Sequence, residues 1–424
     1  MIFLIKDDIF NPAVNKILGF PMNHFDVIII GAGPAGLFAS LFCGGRVLIL
    51  EKGPEPCRKL LISGMGRCNL SNVDNIENFF SRYGKNGDFL RQTFRFFSNS
   101  DTVTFFKRRG LKTMIQENNK VYPASGDAKD VRTVLTKASY ETGALLQCRN
   151  RVHSIRHRDL FAVGTAEKTF FSRCVLIATG GMSHPETGSA GEGYRLASSL
   201  GHRIVTPVPA LTPLIIRDYP FEHLSGVSLS DVGLLIRRDG RRVNTGRGDL
   251  LFTHNGLSGP AVIDISRSVR SNDTLVLDFV CGMTRENMHG ILERATPTIS
   301  VKKIVSRTFH IPASLVETLL MKARIEKGAT YFQLSRDKRY RLVELLKSLS
   351  LFVDRPGGFD VAMVTSGGVT LEEVDPKSMQ SLLVPGLFFA GEIIDIDGDT
   401  GGYNIQAAFS TAALAGTSMK KFTE

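Results

Sequence analysis

One stretch near the start of the chain, Phe25–Lys52 (FDVIIIGAGPAGLFASLFCGGRVLILEK), limits what the whole can fold into. Val27–Ile30 is short, apolar and rich in β-branched residues, the composition of a strand buried on both faces of a parallel sheet. It runs directly into Gly31-Ala32-Gly33-Pro34-Ala35-Gly36, a GxGxxG turn leading into a helix. In that arrangement Gly31 permits the tight turn, Gly33 lets the backbone approach a pyrophosphate, and Gly36 lets the helix pack close to the sheet. The helix that starts at Pro34 and Ala35 turns free amides and the positive end of its dipole toward phosphate. A second apolar run, Val47–Leu50, ends on Glu51 with Lys52 beside it, twenty positions after Gly31. There a carboxylate accepts hydrogen bonds from the adenosine ribose. GxGxxG alone is a weak signal; a strand before it and an acid closing the next strand make it a dinucleotide site.

At 424 residues the chain is too long for one ordinary core, so two or three domains are expected. Its longest apolar runs are strand-sized, well short of the roughly 20 residues of a membrane span, which points to a soluble protein that does not engage a membrane. Cysteines 43, 57, 68, 148, 174 and 281 are scattered, with no CxxC and no metal-ligand spacing. That pattern suits a reducing cytoplasm and excludes both a disulfide frame and a metal site. Residues 1–23 read as an N-terminal extension. Asp7 and Asp8 interrupt the apolar core that a secretory signal needs, and Met22 directly precedes the first strand, so the segment is a loose extension or a start placed too far upstream. The formal net charge is +11, and between residues 196 and 355 there are 23 Lys and Arg against 15 Asp and Glu. The excess therefore sits in the middle, in clusters such as Arg237-Arg238 with Arg241-Arg242, Lys302-Lys303, and 336–341, and it suits a polyanionic partner as well as a solvated surface.

In order along the chain, residues 24–195 read as the first part of the dinucleotide domain. After Lys52 comes a glycine-punctuated loop, SGMGRCNLSN, in which Arg67 supplies charge, Asn69 a polar anchor, and Cys68 lies between them. Residues 88–147 read as helices and connecting turns, the clearest from Asp127 to Gly143, and Val152 opens a strand-like stretch expected beside the adenine. The run from Cys174 ends Ala178-Thr179-Gly180-Gly181, small residues that let the chain turn away close to a cofactor. Residues 196–284 then alternate as an inserted β-rich subdomain, 285–347 carry helical spacing, 348–358 lead back, and 359–424 restore the first texture. That last part brings Gly391-Glu392 and the loop ending Gly401-Gly402-Tyr403-Asn404-Ile405, followed by an alanine-rich helix whose N-terminal dipole favours negative charge.

These segments together carry a family resemblance: GAGPAG, Glu51-Lys52, SGMGRCNLSN, ATGG followed by SHPETGSAGEGY, LLFTHNGLSGPAV, TSGGVTLEEVD and GLFFAGEIIDIDGDTGGYNIQAAFSTAALAG. In that order they resemble the marks of the YhiN/BaiN-type flavoproteins, also known as aminoacetone-oxidase-like FAD-binding enzymes, from about residue 24 to the end. The resemblance implies an α/β fold: a Rossmann-like, glutathione-reductase-type FAD domain interrupted by an inserted β-barrel plus helical module. It implies an FAD-dependent oxidoreductase fed by NAD(P)H. Members are connected with reduction of uridine to dihydrouridine in large-subunit ribosomal RNA, with oxidation of small amines and with steroid enones, so membership leaves the substrate open. One local departure is the short segment Cys43-Gly-Gly-Arg46.

No second GxGxxG follows a strand, so the nicotinamide is expected to visit the flavin transiently. Reducing an activated carbon–carbon double bond needs a hydride on one carbon and a proton on its neighbour, and Cys68, His184 and His254 are the candidate donors, each with a commoner packing or hydrogen-bonding role. Arg336, Lys338, Arg339 and Arg341, with Tyr340 among them, are candidate contacts to ribosomal RNA. A small-molecule oxidase or reductase is the competing reading, and a noncatalytic FAD-binding protein the third. Deletion of residues 1–21 is expected to leave folding and flavin content intact, measured as soluble yield and the flavin absorbance band; a truncated protein that aggregates or loses flavin contradicts this.

Overall fold

The computed structural model describes residues 23–424, so the expectation for residues 1–21 falls outside them. The chain forms two compact units, one running to Val208 and resuming at Thr365–Glu424, the other Pro209–Val364.

The first unit is built on a parallel sheet. Its strands lie in the order Leu145–Gln147, Val47–Leu50, His24–Ile30 and Thr169–Ile177; Phe161–Thr165 and Val152–His157 continue antiparallel, and Leu387–Phe389 also joins Thr169–Ile177. Val27, Ile28 and Ile29 are wholly buried, as a strand covered on both faces requires. Register aligns the carboxyl ends: Ile30 is opposite Leu50 on one side and Ile177 on the other, and Ile177 is opposite Phe389. Hence Gly31, Glu51, Thr179 and Gly391 leave the sheet at the same edge, where open α/β sheets bind ligands. The closing helix, Tyr403–Thr423, packs its small residues on the first helix, Pro34–Ser40; a Cβ on Gly416 would lie 2.5 Å from the Ala39 carbonyl oxygen.

Within 88–147, the expected helices are joined by strands Thr113–Ile115, Lys120–Pro123 and Leu145–Gln147. Three or four residues are too few to display an alternating pattern, which is why they read as turns. The helix Ala128–Glu141 follows the N-cap Asp127, as its sequence indicates.

In the second unit six strands close a barrel: Leu214–Ile216, Gly256–Ser258, Arg241–Phe252, Ser228–Arg238, Thr274–Asp278 and Leu349–Pro356. Residues 349–356, expected to lead back to the dinucleotide domain, are thus a barrel strand, alternating buried Leu349, Leu351 and Val353 with exposed neighbours. Residues 196–208 stay with the first unit, because Leu196 and Ala197 are in its core. Helices Arg285–Glu293, Val301–Thr308, Ala313–Lys322 and Arg336–Ser348 all lie between Thr274–Asp278 and Leu349–Pro356, two strands that pair directly, Leu277 opposite Leu349. Barrel and helices share one core.

The two halves of the first unit are tied by His202. Its buried ring places Nδ1 3.1 Å from Glu373 Oε2 and Nε2 2.9 Å from Ser381 Oγ. Ser381 Oγ accepts from the amides of Leu383 and Val384, so its own proton goes to Nε2 and His202 is neutral with Nδ1–H donating to Glu373. Burial lowers the proton affinity of His202 below the ordinary histidine value, with Glu373 opposing that shift. Because the folded value lies below the unfolded one, the stability contribution is complete above about pH 6.5 and declines as pH falls below it. The urea midpoint of the protein is therefore expected to drop between about pH 7 and pH 5, and to drop less steeply in His202→Asn; equal slopes for the two proteins rule this out.

Candidate functional site

The site begins where the first strand stops. Gly31 adopts φ +101°, and a Cβ there would sit 2.6 Å from the Ala178 carbonyl oxygen. A Cβ on Gly36 would sit 1.9 Å from the Gly31 carbonyl oxygen, so no side chain fits at that helix–strand contact. A Cβ on Gly33, by contrast, meets nothing within 4 Å, leaving the backbone open to a ligand. The helix beyond it, with Pro34 in its first turn and Ala35 buried, has neither a side-chain cap nor an acid in its first turn. Its free amides face the open side of the turn.

Glu51 secures the turn from the neighbouring strand. Its Oε2 accepts from Ala32 N at 2.8 Å and its Oε1 from Gly53 N at 2.7 Å. A carboxylate has further lone pairs, so these bonds leave it able to accept from a ribose. Asn150 N donates to Glu51 O at 2.8 Å, which brings the chain leading into buried Val152 alongside. Lys52 is engaged elsewhere: its Nζ is 2.6 Å from Glu192 Oε2, and Arg151 reaches the other oxygen at 3.0 Å.

From the far end of the chain, Gly391 comes against the first helix, where its Cβ would be 3.0 Å from Ala35 Cβ, and Thr411 Oγ1 accepts from Gly391 N at 3.0 Å. Glu392 comes to the Thr179-Gly180 turn; a Cβ on Gly180 would be 3.9 Å from its Oε2. The Glu392 carboxylate is the hub of a network absent from the sequence reading. Lys59 Nζ donates to its Oε2 at 2.7 Å and to Ser183 Oγ at 2.5 Å, while Ser183 Oγ and Thr365 N reach its Oε1 at 3.1 and 2.7 Å. These partners are separated by 27 to 333 positions, and no local spacing announces them.

The loop with Arg67, Cys68 and Asn69 lies at the start of the closing helix. A Cβ on Gly402, which has φ +96°, would be 2.4 Å from Ser71 O and 2.8 Å from Asn69 Oδ1. Asn69 Oδ1 is buried without a hydrogen-bond partner among the described residues. The closing helix begins at this point with no side-chain cap and no acid in its first turn, and Ile405 is part-buried within that turn. Asn404 exchanges two bonds of 2.8 Å with the Gly398 backbone through its amide and so holds the preceding loop. Arg67 stacks its guanidinium 4.8 Å from the centre of the Tyr122 ring.

The candidate proton donors separate. Cys68 is completely buried, and burial pushes its thiol up to about 12 while a hydrogen bond with Ser63 pulls the other way. A thiol so placed is a poor acid, and packing accounts for it. His184 stands 3.1 Å from Glu186 in an accessible turn. His254 is exposed between strands Arg241–Phe252 and Gly256–Ser258 of the second unit.

Open backbone at Gly33, two uncapped helix starts and the orphaned Asn69 oxygen fit an anionic dinucleotide with a polar ring system, as FAD is. The fold and the site thus define a Rossmann-type FAD-dependent oxidoreductase. The chain belongs to the family described as HI0933-like protein Rossmann domain, which matches residues 25–418. It is 30% identical over 395 residues to a ribosomal RNA dihydrouridine synthase of Escherichia coli, covering 92% of this chain and 97% of the relative. A 3-dehydro-bile acid delta(4,6)-reductase of Clostridium scindens is 29% identical over 405 residues, with the same coverage of 92% and 97%. Among solved structures, a 3-ketosteroid-delta4-(5alpha)-dehydrogenase of Rhodococcus jostii aligns with a TM-score of 0.51 at 15% identity, over 96% of this chain and 98% of the other, a likeness of fold. Among the described residues no helix is long and apolar enough to cross a membrane, and no group of three or more His, Cys, Asp or Glu is placed to hold a metal ion.

Glu51→Ala removes the acceptor of two backbone amides as well as the expected ribose contact. Each charge-assisted bond is worth about 1.5–3 kcal/mol, so FAD affinity is expected to fall tenfold or more. Flavin content after dialysis measures this, and an unchanged content removes Glu51 from the site.

Proposed function

We propose that this protein reduces uridine to dihydrouridine in large-subunit ribosomal RNA, in the cytoplasm, using FAD and a transient NAD(P)H. The observation that carries the reading is the end-to-end similarity to the E. coli ribosomal RNA dihydrouridine synthase. A relative of the same name from Haemophilus influenzae, 28% identical over 404 residues, and the basic middle of the chain support it.

Gly31, Gly33, Pro34, Ala35 and Gly36 would cradle the pyrophosphate, with Glu51 and Val152 toward the adenosine. Asn69, Thr179, Gly180, Gly391 and the amides following Gly402 and Ile405 would hold the ring end, where the helix dipole favours negative charge. FAD supplies hydride transfer when bound. The chain's own task is to orient the substrate, exclude water and deliver a proton to the second carbon of the double bond. With Cys68 sealed in the core, His184 and His254 remain of the candidate proton donors.

The C. scindens relative favours a second reading, reduction of a small enone. The two share one chemistry, since uracil and an enone both present a carbon–carbon double bond conjugated to a carbonyl. Mass spectrometry of ribosomal RNA from cells with and without the gene decides between them. A large-subunit uridine that carries two extra hydrogens only when the gene is present is the expected result. Identical RNA from both strains overturns the RNA reading and leaves the enone one.

A further inference from the structure

Building on the RNA reading, the second unit narrows where RNA docks. Several basic residues of the expected clusters are answered internally. Arg238 makes a two-pronged pair with buried Asp273, both bonds 2.8 Å, and Lys302 pairs with Glu317 at 2.5 Å. The remaining excess is local: residues 285–347 hold 13 Lys and Arg against six Asp and Glu, whereas 196–284 hold nine against eight.

Helix Arg336–Ser348 sorts its own cations. Arg339 turns inward, its guanidinium 4.7 Å from the centre of the Tyr331 ring, donating to Leu334 O at 3.1 Å. Its guanidinium is thus engaged within the module, and both Arg339 and Lys338 are half-buried. Arg336 lies 5.6 Å over the Tyr340 ring, which His289 supports at 4.8 Å and 56°. His289 is itself fixed by a 3.1 Å bond to Tyr331 OH. Tyr340 nevertheless remains 52% exposed, and Phe332, on the turn just before the helix, 48%. On the same helix Arg341 lines an open groove with Lys322, Glu344 and Ser348. Glu344 is already held by Arg285, while Arg341 and Lys322 form no ion pair among the described residues.

We propose that this face is a platform for single-stranded RNA. Arg341 and Lys322 take backbone phosphates, and an unpaired base stacks on the Arg336–Tyr340 pair. Single-stranded RNA is the ligand that uses both features, since aromatic rings and guanidinium planes stack splayed bases while cations follow the backbone. An anionic membrane would use the charge but not a ring braced from behind.

The test is fluorescence anisotropy of a labelled oligouridylate with the full-length, flavin-loaded protein across a salt series. Tyr340→Ala is expected to weaken binding about tenfold with an unchanged salt slope. Lys322→Ala with Arg341→Ala is expected to reduce the slope of log K against log salt by about 1.4, two phosphate contacts at about 0.7 each. A control that removes equal charge from the barrel, Arg237→Ala with Arg242→Ala, is expected to change neither, and flavin content reports folding throughout. The platform is overturned if Tyr340→Ala binds like the parent, if the control weakens binding as much as the groove pair, or if the parent binds phosphatidylserine vesicles but not the oligonucleotide. Failure of the RNA reading looks different: the platform variants lose oligonucleotide binding, yet the parent leaves ribosomal uridine unreduced.

Discussion

Gly31, Gly36 and Ala178 meet backbone to backbone, with carbonyl oxygens where any side chain would have to be. That contact sets the distance between the first helix and the sheet, and so the position of the helix's free N-terminal amides. Glu51 then fixes the turn from the adjacent strand through two amide bonds. Register does the rest, because strands ending opposite one another deliver Glu51, Thr179 and Gly391 to the same edge. A methyl group at Gly36 would disturb all of these at once, since cores are packed too tightly to absorb such a shift locally.

The first unit is assembled from both ends of the chain, and buried polar contacts join the ends. Ser71 Oγ donates to Gln406 Oε1 at 2.7 Å, Gln406 to Ser410 at 2.9 Å, and Ser410 to Phe97 O at 2.7 Å. The Glu392 hub and the His202 lock act in the same way. A buried polar group that loses its partner costs about 1–3 kcal/mol, so mispaired halves are penalised more sharply than apolar packing alone would penalise them. Near the cofactor edge these bonds also keep Lys59 and Glu392 in one geometry.

The cofactor edge was largely legible in the sequence because it is local. Strand, glycine turn and terminal acid fall within 28 residues, and each has its own backbone reason. The Lys59–Ser183–Glu392 network was not legible, because it depends on strands that meet only in the fold. Cys68 and Asn404 are instructive in another way: both sit in the right segments, yet burial of one and backbone bonding of the other give them supporting tasks. The same applies to Arg339, which packs on Tyr331 while adjacent Tyr340 is exposed. Type and order of residues locate a segment; which way each side chain turns is decided by the packing and bonding around it in the fold.

The helices of the second unit occupy a single connection between two barrel strands that already pair with each other, Leu277 with Leu349. Topologically they are an enlarged hairpin turn. Because the entropic cost of closing a loop grows only with the logarithm of its length, such a connection can lengthen, shorten or be exchanged while the barrel keeps its register. Length in this connection is therefore cheap in closure entropy, whereas the helices it carries are tied to the barrel through the core they share.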